Sequence, residues 1–356
     1  MKVNERIQVL DTRSRRMHLA HIESAARRGA EEYWQIHGFV NVSPPHLVPI
    51  TGACENVDTL FDVNYFGQEA FLTQTGQTGL EMFTAALKKV CCEIRSFRKE
   101  SSADARHLTE FPLLEIEFSY AKDEDGFAML LRHIQGTVQS MMRNIRERAG
   151  RSLLALGADL DFVERMASES FRVMPYDDAV RLVGKEWGED LNAEDEQKVV
   201  AHNGGMPTFV TKYPEAIKFF NMKRDVAYSN PESCNGNPRR VLSTDLLLPF
   251  SGEAVGAAVR EEDYELLKER LASSPMFAVL SKRGKSLEDF KEYLDEVKSY
   301  PTPHAGCGIG LYRVLQSVLQ TDDIRMAAPY VLNAATKLGF GDACQTQQEK
   351  LVEVMV

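Results

Sequence analysis

The feature that most constrains this chain is a pair of strand-like runs separated by a short, densely charged stretch. In SFRKESSADARHLTEF, residues 96–111, Arg98, Lys99, Glu100, Asp104, Arg106 and His107 crowd into one segment between apolar neighbours. A strand ending in FRKE and a second beginning at EF predict an antiparallel hairpin. The run after it, LLEIEFSYA at 113–121, alternates, with Glu115, Glu117 and Ser119 on one face. The charged loop has two readings. It is a solvated hairpin tip, or it is a cradle for a nucleotide: arginine forks match phosphate oxygens, Glu100 can accept from an adenine amino group, and Phe111 can stack on a base.

Elements of both kinds surround this hairpin. Residues 14–38 have helical spacing, with Met17, Ile22, Ala25, Ala26, Tyr33 and Ile36 roughly on one face and Gly38 as a stop. FVNVSPP reads as a short strand ended by prolines, and LFDVNYFGQEAFLTQTG as two strands joined at Gly67. Residues 77–92, which include Cys91 and Cys92, look helical. The segment 126–200 is mostly helical and charged, and reads as an insertion or cap. PTFVTKY and RRVLSTDLLLPFSG return to strand character, and residues 261–298 are again helical. The expectation is an α+β fold with a mostly antiparallel sheet flanked by helices and a helical insertion near 140–210.

Composition narrows the class. The 356 residues are 44% hydrophobic, enough for a sizeable core, and the formal net charge of -10 argues against bulk adhesion to nucleic acid. No apolar run approaches a membrane span, and no signal-peptide pattern opens the chain. The six cysteines show no metal spacing. They are expected to be reduced, in a cytoplasmic protein.

Two further stretches carry candidate chemistry. HAGCGIGLYR, residues 304–313, has glycines at 306, 308 and 310 followed by Arg313. Glycines at alternate strand positions let a flat ligand lie against the backbone; the bland reading is a strand-to-helix turn. DLLLPFSGEAVGAAVRE, residues 245–261, offers Asp245 and Glu253, which could hold Mg²⁺ together with substrate phosphates, or could be two surface acids.

Taken in order, a helix and proline-ended strand, then F-R-x-E…R-H-x-x-E-F, then D…G-E…R, then G-x-G-x-G-x-x-R resemble the class II aminoacyl-tRNA synthetases, nearest the aspartyl/asparaginyl branch. The likeness runs from about Arg13 to Pro329. It implies a catalytic domain over residues 1–330 and a homodimer; the departures are a C-terminal tail at 331–356 and the family's N-terminal OB-fold anticodon domain, which is not expected because only about a dozen residues precede the first helix. ATP and Mg²⁺ would be its cofactors. Arg98 would sit on the α-phosphate, Glu100 near the adenine, Arg106 and His107 towards the outer phosphates, and Phe111 against the base. Arg313 would cover the adenine and γ-phosphate, and Asp245 and Glu253 would hold the metal.

In the amino acid pocket the resemblance gives Glu55 and Gln77 to the substrate α-ammonium and Arg260 to a side-chain oxygen. Aspartyl enzymes carry lysine at the position of Leu80, whereas Glu81 matches the asparaginyl branch and would accept from a side-chain amide. Tyr312 departs from the usual acid before the arginine, and the polar loop 227–239 is longer than the branch has. The function expected first is an AMP-forming ligase that adenylates an Asp- or Asn-type amino acid and transfers the acyl group to an amine, with ammonia as acceptor as in asparagine synthetase-like relatives. The alternatives are activation of the α-carboxylate of Asn or an analogue for a small amine, peptide, carrier or tRNA acceptor, and a non-catalytic regulator. Reading of a tRNA anticodon is not expected, and neither is a membrane partner.

Overall fold

The hairpin expected around residues 96–111 is present in the main sheet. A computed structural model describes residues 11–50, 57–226 and 239–336. The chain opens with α1 (Thr12–Ile36), β1 (Val40–Asn41) and β2 (Leu47–Val48). There follow β3 (Phe61–Tyr65), β4 (Gln68–Leu72), α2 (Gln77–Glu81) and α3 (Thr84–Leu87). The hairpin itself is β5 (Lys89–Phe97) and β6 (Glu110–Ser119). Next come α4 (Gly126–Ala155), α5 (Leu160–Ser168), β7 (Arg172–Pro175), α6 (Tyr176–Val183), α7 (Ala193–His202) and β8 (Thr208–Thr211). Then follow β9 (Ser243–Leu248), β10 (Gly252–Val259), α8 (Tyr264–Ser273), α9 (Pro275–Lys282), α10 (Lys291–Ser299), β11 (His304–Gly310) and α11 (Leu311–Val318).

Eight strands form the main sheet in the order β1-β5-β6-β11-β10-β9-β8-β7, and β2-β4-β3 form a small second sheet. The main sheet is antiparallel except at its edges, where β1 runs parallel to β5 and β7 parallel to β8. The mixed, mostly antiparallel α+β architecture is the one expected.

Alternation along the strands assigns the two faces. Leu114, Ile116 and Phe118 of β6, with Val255, Ala257 and Val259 of β10 and Cys307 and Ile309 of β11, join one core with α1, α4 and α11. The opposite face is covered at its ends and, over Ala258 of β10, by Met222 and Val241. At one end Leu80 of α2 packs on Val90, Cys92 and Ile94. At the other, Tyr176 and Val180 of α6 and Val199 and Val200 of α7 pack on Val210 and Leu247. The middle of that face is otherwise left open.

Helix α1 starts where the Asp11 carboxylate accepts from the Ser14 amide, and ends at Gly38, whose φ of 76° favours glycine. It buries Ile22, Ala25, Ala26 and Trp34, while Met17 and Ile36, assigned to the same face, are exposed. The tightest contact is with α4. A Cβ on Gly29 would lie 2.5 Å from the Ser140 carbonyl oxygen, and the Ser140 hydroxyl donates to the Gly29 carbonyl at 2.7 Å.

Three expectations change. Residues 77–92 are not one helix: Lys88, with φ 66°, ends α3, and Cys91 and Cys92 lie on β5. Both faces of that strand are buried from Val90 to Cys92, so no alternation marks it. The region 140–210 is helical as expected but also carries β7 and β8, which extend the main sheet. The three glycines expected at a turn lie within strand β11, and the turn into α11 falls after Gly310.

A larger side chain at Gly29 must separate α1 from α4, because its obstacle is backbone. Gly29→Val should lower stability by about 1–3 kcal/mol. The check is a urea titration with a reduced midpoint and an unchanged slope; an unchanged midpoint would contradict this packing.

Candidate active site

The open middle of the sheet is floored by glycine. One row of partners crosses it as Cys92, Glu115, Gly308, Gly256 and Asp245, on β5, β6, β11, β10 and β9 in turn. The next row reads Val90, Glu117, Gly306, Ala258 and Ser243. Above this floor lies a cleft of about 320 Å³. Arg98, Glu100, Arg106, His107, Phe111, Gln77, Asp245, Glu253 and Arg313 all line it, so nine residues scattered over 237 positions of sequence meet on one surface.

The basic side comes from the β5–β6 loop and the start of α11. Asp104 folds the loop by accepting from the Arg106 and His107 amides at 2.8 and 3.0 Å and from the His107 ring at 2.9 Å. Burial opposes its ionisation, but the Arg106 amide and the His107 ring outweigh this and hold its carboxyl down to about 2. The Arg98 guanidinium lies over the Phe111 ring at 5.6 Å, and its buried Nε–H has no partner. Arg313 donates to the Ser251 carbonyl at 3.1 Å and to the Arg106 carbonyl at 2.9 Å. Burial, then the charge of Arg106, pulls the Arg313 guanidinium down to about 10.

The acidic side is Asp245 and Glu253. They project from the same face because the register of β10 on β9 slips between Glu253 and Val255, a bulge that re-aims the carboxylate. Asp245 first, and burial second, raise the Glu253 carboxyl well above the usual range. Two hard oxygen donors that repel one another suit a divalent cation. Among the described residues no group of three or more His, Cys, Asp or Glu could hold a metal, so the pair needs further oxygens from a ligand. That is the usual Mg²⁺ arrangement in phosphate-transfer sites. Lys218 reaches the same pair, with Nζ 2.6 Å from Asp245 and 3.9 Å from the centre of the Tyr213 ring.

Beyond the glycine floor lies an acid-rich end. Glu115 accepts from the Thr75 hydroxyl and, at 2.8 Å, from the Gly76 amide. Glu117 accepts from Gln77 at 2.9 Å and from Arg260 at 2.8 Å. Burial raises both carboxyls, Glu115 to about 7. Glu81 and Arg260 stand behind the cleft rather than on its lining. Their ion pair is 3.6 Å long, and Glu81 also accepts from Asn221 at 3.1 Å and Tyr293 at 2.8 Å. Burial opposes ionisation of Glu81, but His304 and Arg260 outweigh it, and its pKa is lowered. Glu55, and the polar loop 227–239 apart from Arg239, lie outside the described residues.

Four contributors were not singled out from sequence. Glu115 and Glu117 were visible as one face of an alternating strand, but nothing marked that face as a site. Lys218 lies outside any regular element, and Glu196 sits on α7, far away in sequence.

The fold and this cleft define a domain of the class II synthetase type. Residues 1–334 match the family described as tRNA synthetases class II (D, K and N), and the chain belongs to it. Asparagine–tRNA ligase from Streptococcus sanguinis (strain SK36) is 33% identical over 322 residues, covering 87% of this chain and 66% of that protein. The corresponding ligase of Streptococcus agalactiae serotype III (strain NEM316) is 32% identical over 332 residues, 89% of this chain and 68% of that one. The chain thus spans about two thirds of the length of these relatives. Asparaginyl-tRNA synthetase from Pyrococcus horikoshii, complexed with asparaginyl-adenylate, superposes with TM-score 0.79 at 31% identity, over 91% of this chain and 70% of that one.

The raised carboxyl of Glu115 links stability to pH. Between about 4.5 and 7 the folded chain keeps a proton that the unfolded chain has released, so stability should fall as pH rises through that window. Glu115→Gln should make the fall shallower. Denaturant titrations from pH 5 to 8 test this, and an identical slope in the variant would refute it.

Proposed function

We propose that this chain is an AMP-forming ligase that adenylates the α-carboxylate of asparagine and transfers the asparaginyl group to an acceptor. The observation that carries this reading is the meeting of Arg98, Arg106, His107 and Arg313 with the Asp245–Glu253 pair around one glycine floor. A triphosphate laid on that floor would have its base against Phe111 and Arg313 and its outer phosphates at Arg106 and His107. Arg98, with its orphaned Nε–H, would stand at the α-phosphate. The amino acid carboxylate attacks the α-phosphorus, the bond to the bridging oxygen breaks, and pyrophosphate leaves. Charge grows on phosphate oxygens, so fixed donors matter more than a general base. Mg²⁺ held by Asp245 and Glu253 would supply further positive charge to the phosphates.

The acid-rich end supports an amino acid with a neutral side chain. Glu115 and Gln77, both on the cleft lining, suit an α-ammonium, and an ionised Glu81 disfavours a second carboxylate nearby. The asparagine–tRNA ligases among the relatives agree with that choice, and make a tRNA acceptor stem one candidate acceptor. The reading ranked first from sequence, side-chain activation of aspartate with ammonia as acceptor, keeps one observation in its favour. Burial drives Glu117 towards its neutral form, which weakens repulsion of an aspartate carboxylate beside Arg260.

Amino-acid-dependent exchange of labelled pyrophosphate into ATP tests both. Exchange with Asn is expected. Exchange with Asp alone, followed by asparagine formation on adding ammonium, would transfer the function to the second reading. Silence with both would overturn adenylation. Arg98→Ala should lower exchange by at least about 100-fold; a normal rate would remove the phosphate assignment.

A homodimer belongs to the same proposal. Strand β1 has one sheet partner, and Ile36 and Val40 beside it are 80% and 44% exposed. Sedimentation should give twice the monomer mass, shifting towards monomer in Val40→Glu. No described helix is long and apolar enough to cross a membrane, and the described cysteines, Cys91, Cys92 and Cys307, are free and buried. Both agree with a cytoplasmic setting.

A further inference from the structure

The turn between β9 and β10 is gripped from two sides, and one side has no part in the reading above. From α11, Arg313 donates to the Ser251 carbonyl and Gln316 to the Phe250 carbonyl, at 3.1 and 3.4 Å. From α7, the Gln197 side-chain oxygen accepts from the Phe250 amide at 3.1 Å. The neighbouring Glu196 goes further. One of its oxygens, Oε2, accepts from the Glu253 amide and from Arg106 Nη2, both at 3.2 Å.

That oxygen therefore joins a backbone atom of the carboxylate strand to an arginine of the opposite loop. The Glu196 side chain is 7% exposed, so its carboxylate is largely withdrawn from water, while the Arg106 side chain, 32% exposed, keeps one side to solvent. Its approach depends on Gly252, which has φ 71°: a Cβ there would lie 2.1 Å from the same oxygen. The position of α7 is fixed in turn by a reciprocal cap. Asn192 accepts from the Asp195 amide at 3.1 Å, and Asp195 accepts from the Asn192 amide at 3.0 Å.

We propose that Glu196 is a positioning residue for nucleotide binding. It holds the Arg106 guanidinium across the cleft at a fixed distance from Glu253, ready for the outer phosphates. The proposal rests on the assignment of Arg106 to those phosphates. Free of Glu196, the long Arg106 side chain would return to many rotamers, and each binding event would have to order it again. The effect belongs to ATP affinity and not to the chemical step, because Glu196 lies behind Arg106 and faces no reacting atom. The helical region read from sequence as a cap thus supplies a part of the phosphate site.

The test is a double-mutant cycle read by calorimetric titration of a non-hydrolysable ATP analogue, with Mg²⁺ and without amino acid. Glu196→Ala should weaken binding about tenfold, with kcat for pyrophosphate exchange nearly unchanged while the KM for ATP rises. Glu196→Gln, which keeps an acceptor in the same place, should recover most of the loss. In an Arg106→Ala background, Glu196→Ala should cost nothing further. Equal losses in both backgrounds, or no loss in the first, would overturn the proposal. Gly252→Ala, which displaces the carboxylate by its Cβ, gives the same reading if Glu196→Ala does not fold: it should weaken binding in the parent chain, and an unaltered affinity would count against the latch. The nucleotide reading fails separately. An unsubstituted chain that binds no ATP analogue would remove it, and this inference with it.

Discussion

The site depends on burying two glutamates in the middle of a sheet. Glu117 on β6 faces Gly306 on β11, and a Cβ at Gly306 would lie 2.0 Å from its carboxyl carbon. Glu115 faces Gly308 in the same way, with 3.4 Å between that Cβ and a carboxyl oxygen. Gly306 is therefore required by the strand beside it before any ligand is considered, whereas at Gly308 a Cβ would meet Glu115 at ordinary contact distance. Burying carboxyls is costly unless their oxygens find donors. Here Thr75 and Gly76 supply both oxygens of Glu115, and Gln77 and Arg260 both donate to Oε1 of Glu117, whose buried Oε2 has no partner. Gly308, with Gly256 beside it, leaves a side-chain-free floor on the cleft lining, on which a planar ligand can lie. One spacing thus serves both an internal packing need and an external surface.

How far this was legible in the sequence depended on whether the signal was local. The β5–β6 hairpin, the strands meeting at Gly67 and the helix ending at Gly38 each rest on short-range turn or periodicity rules, and each is present. The strand through Cys91 and Cys92 was missed because burial on both faces removes alternation. Arg98, Arg106, His107 and Arg313 could be grouped in advance because they lie in ordered motifs, and the fold brings them to one cleft. Glu115, Glu117, Lys218 and Glu196 were not, because their meaning comes from register and packing. Only the pairing of β6 with β11 turns an alternating acidic strand into the wall of a pocket. Only the fold of α7 onto the β9–β10 turn brings residue 196 to residue 106.

The long helices serve the site indirectly. With α1, α4 and α11 covering one face, the other need not be continuously apolar, and its middle can hold glycine and charge. The rims are then set by what covers the ends, α2 on one side and α6 and α7 on the other. This makes the edge of the cleft and the edge of a hydrophobic cluster the same boundary. Arg106 is tied to α7 across that boundary, which is why a helix outside the phosphate motifs can act on their geometry.

The balance of charge in the ligand-free cleft completes the argument. Arg98, Arg106, Arg313 and Lys218 gather in a space that only partly admits water, and like charges there repel strongly. Their cost is reduced by placing acids among them: Asp245 against Lys218, Glu196 against Arg106, and Glu253 within reach of both sets. The arginines can therefore stay fixed without a ligand, and the residual strain shows in the lowered pKa of Arg313. Under the proposed function, a triphosphate entering this field would meet Arg106 and Lys218 already paired with acids on a helix and a strand. Fixed donors of this kind act on charge that develops during reaction without first having to reorganise. The acids among the arginines are thus what lets the arginines remain in place to act.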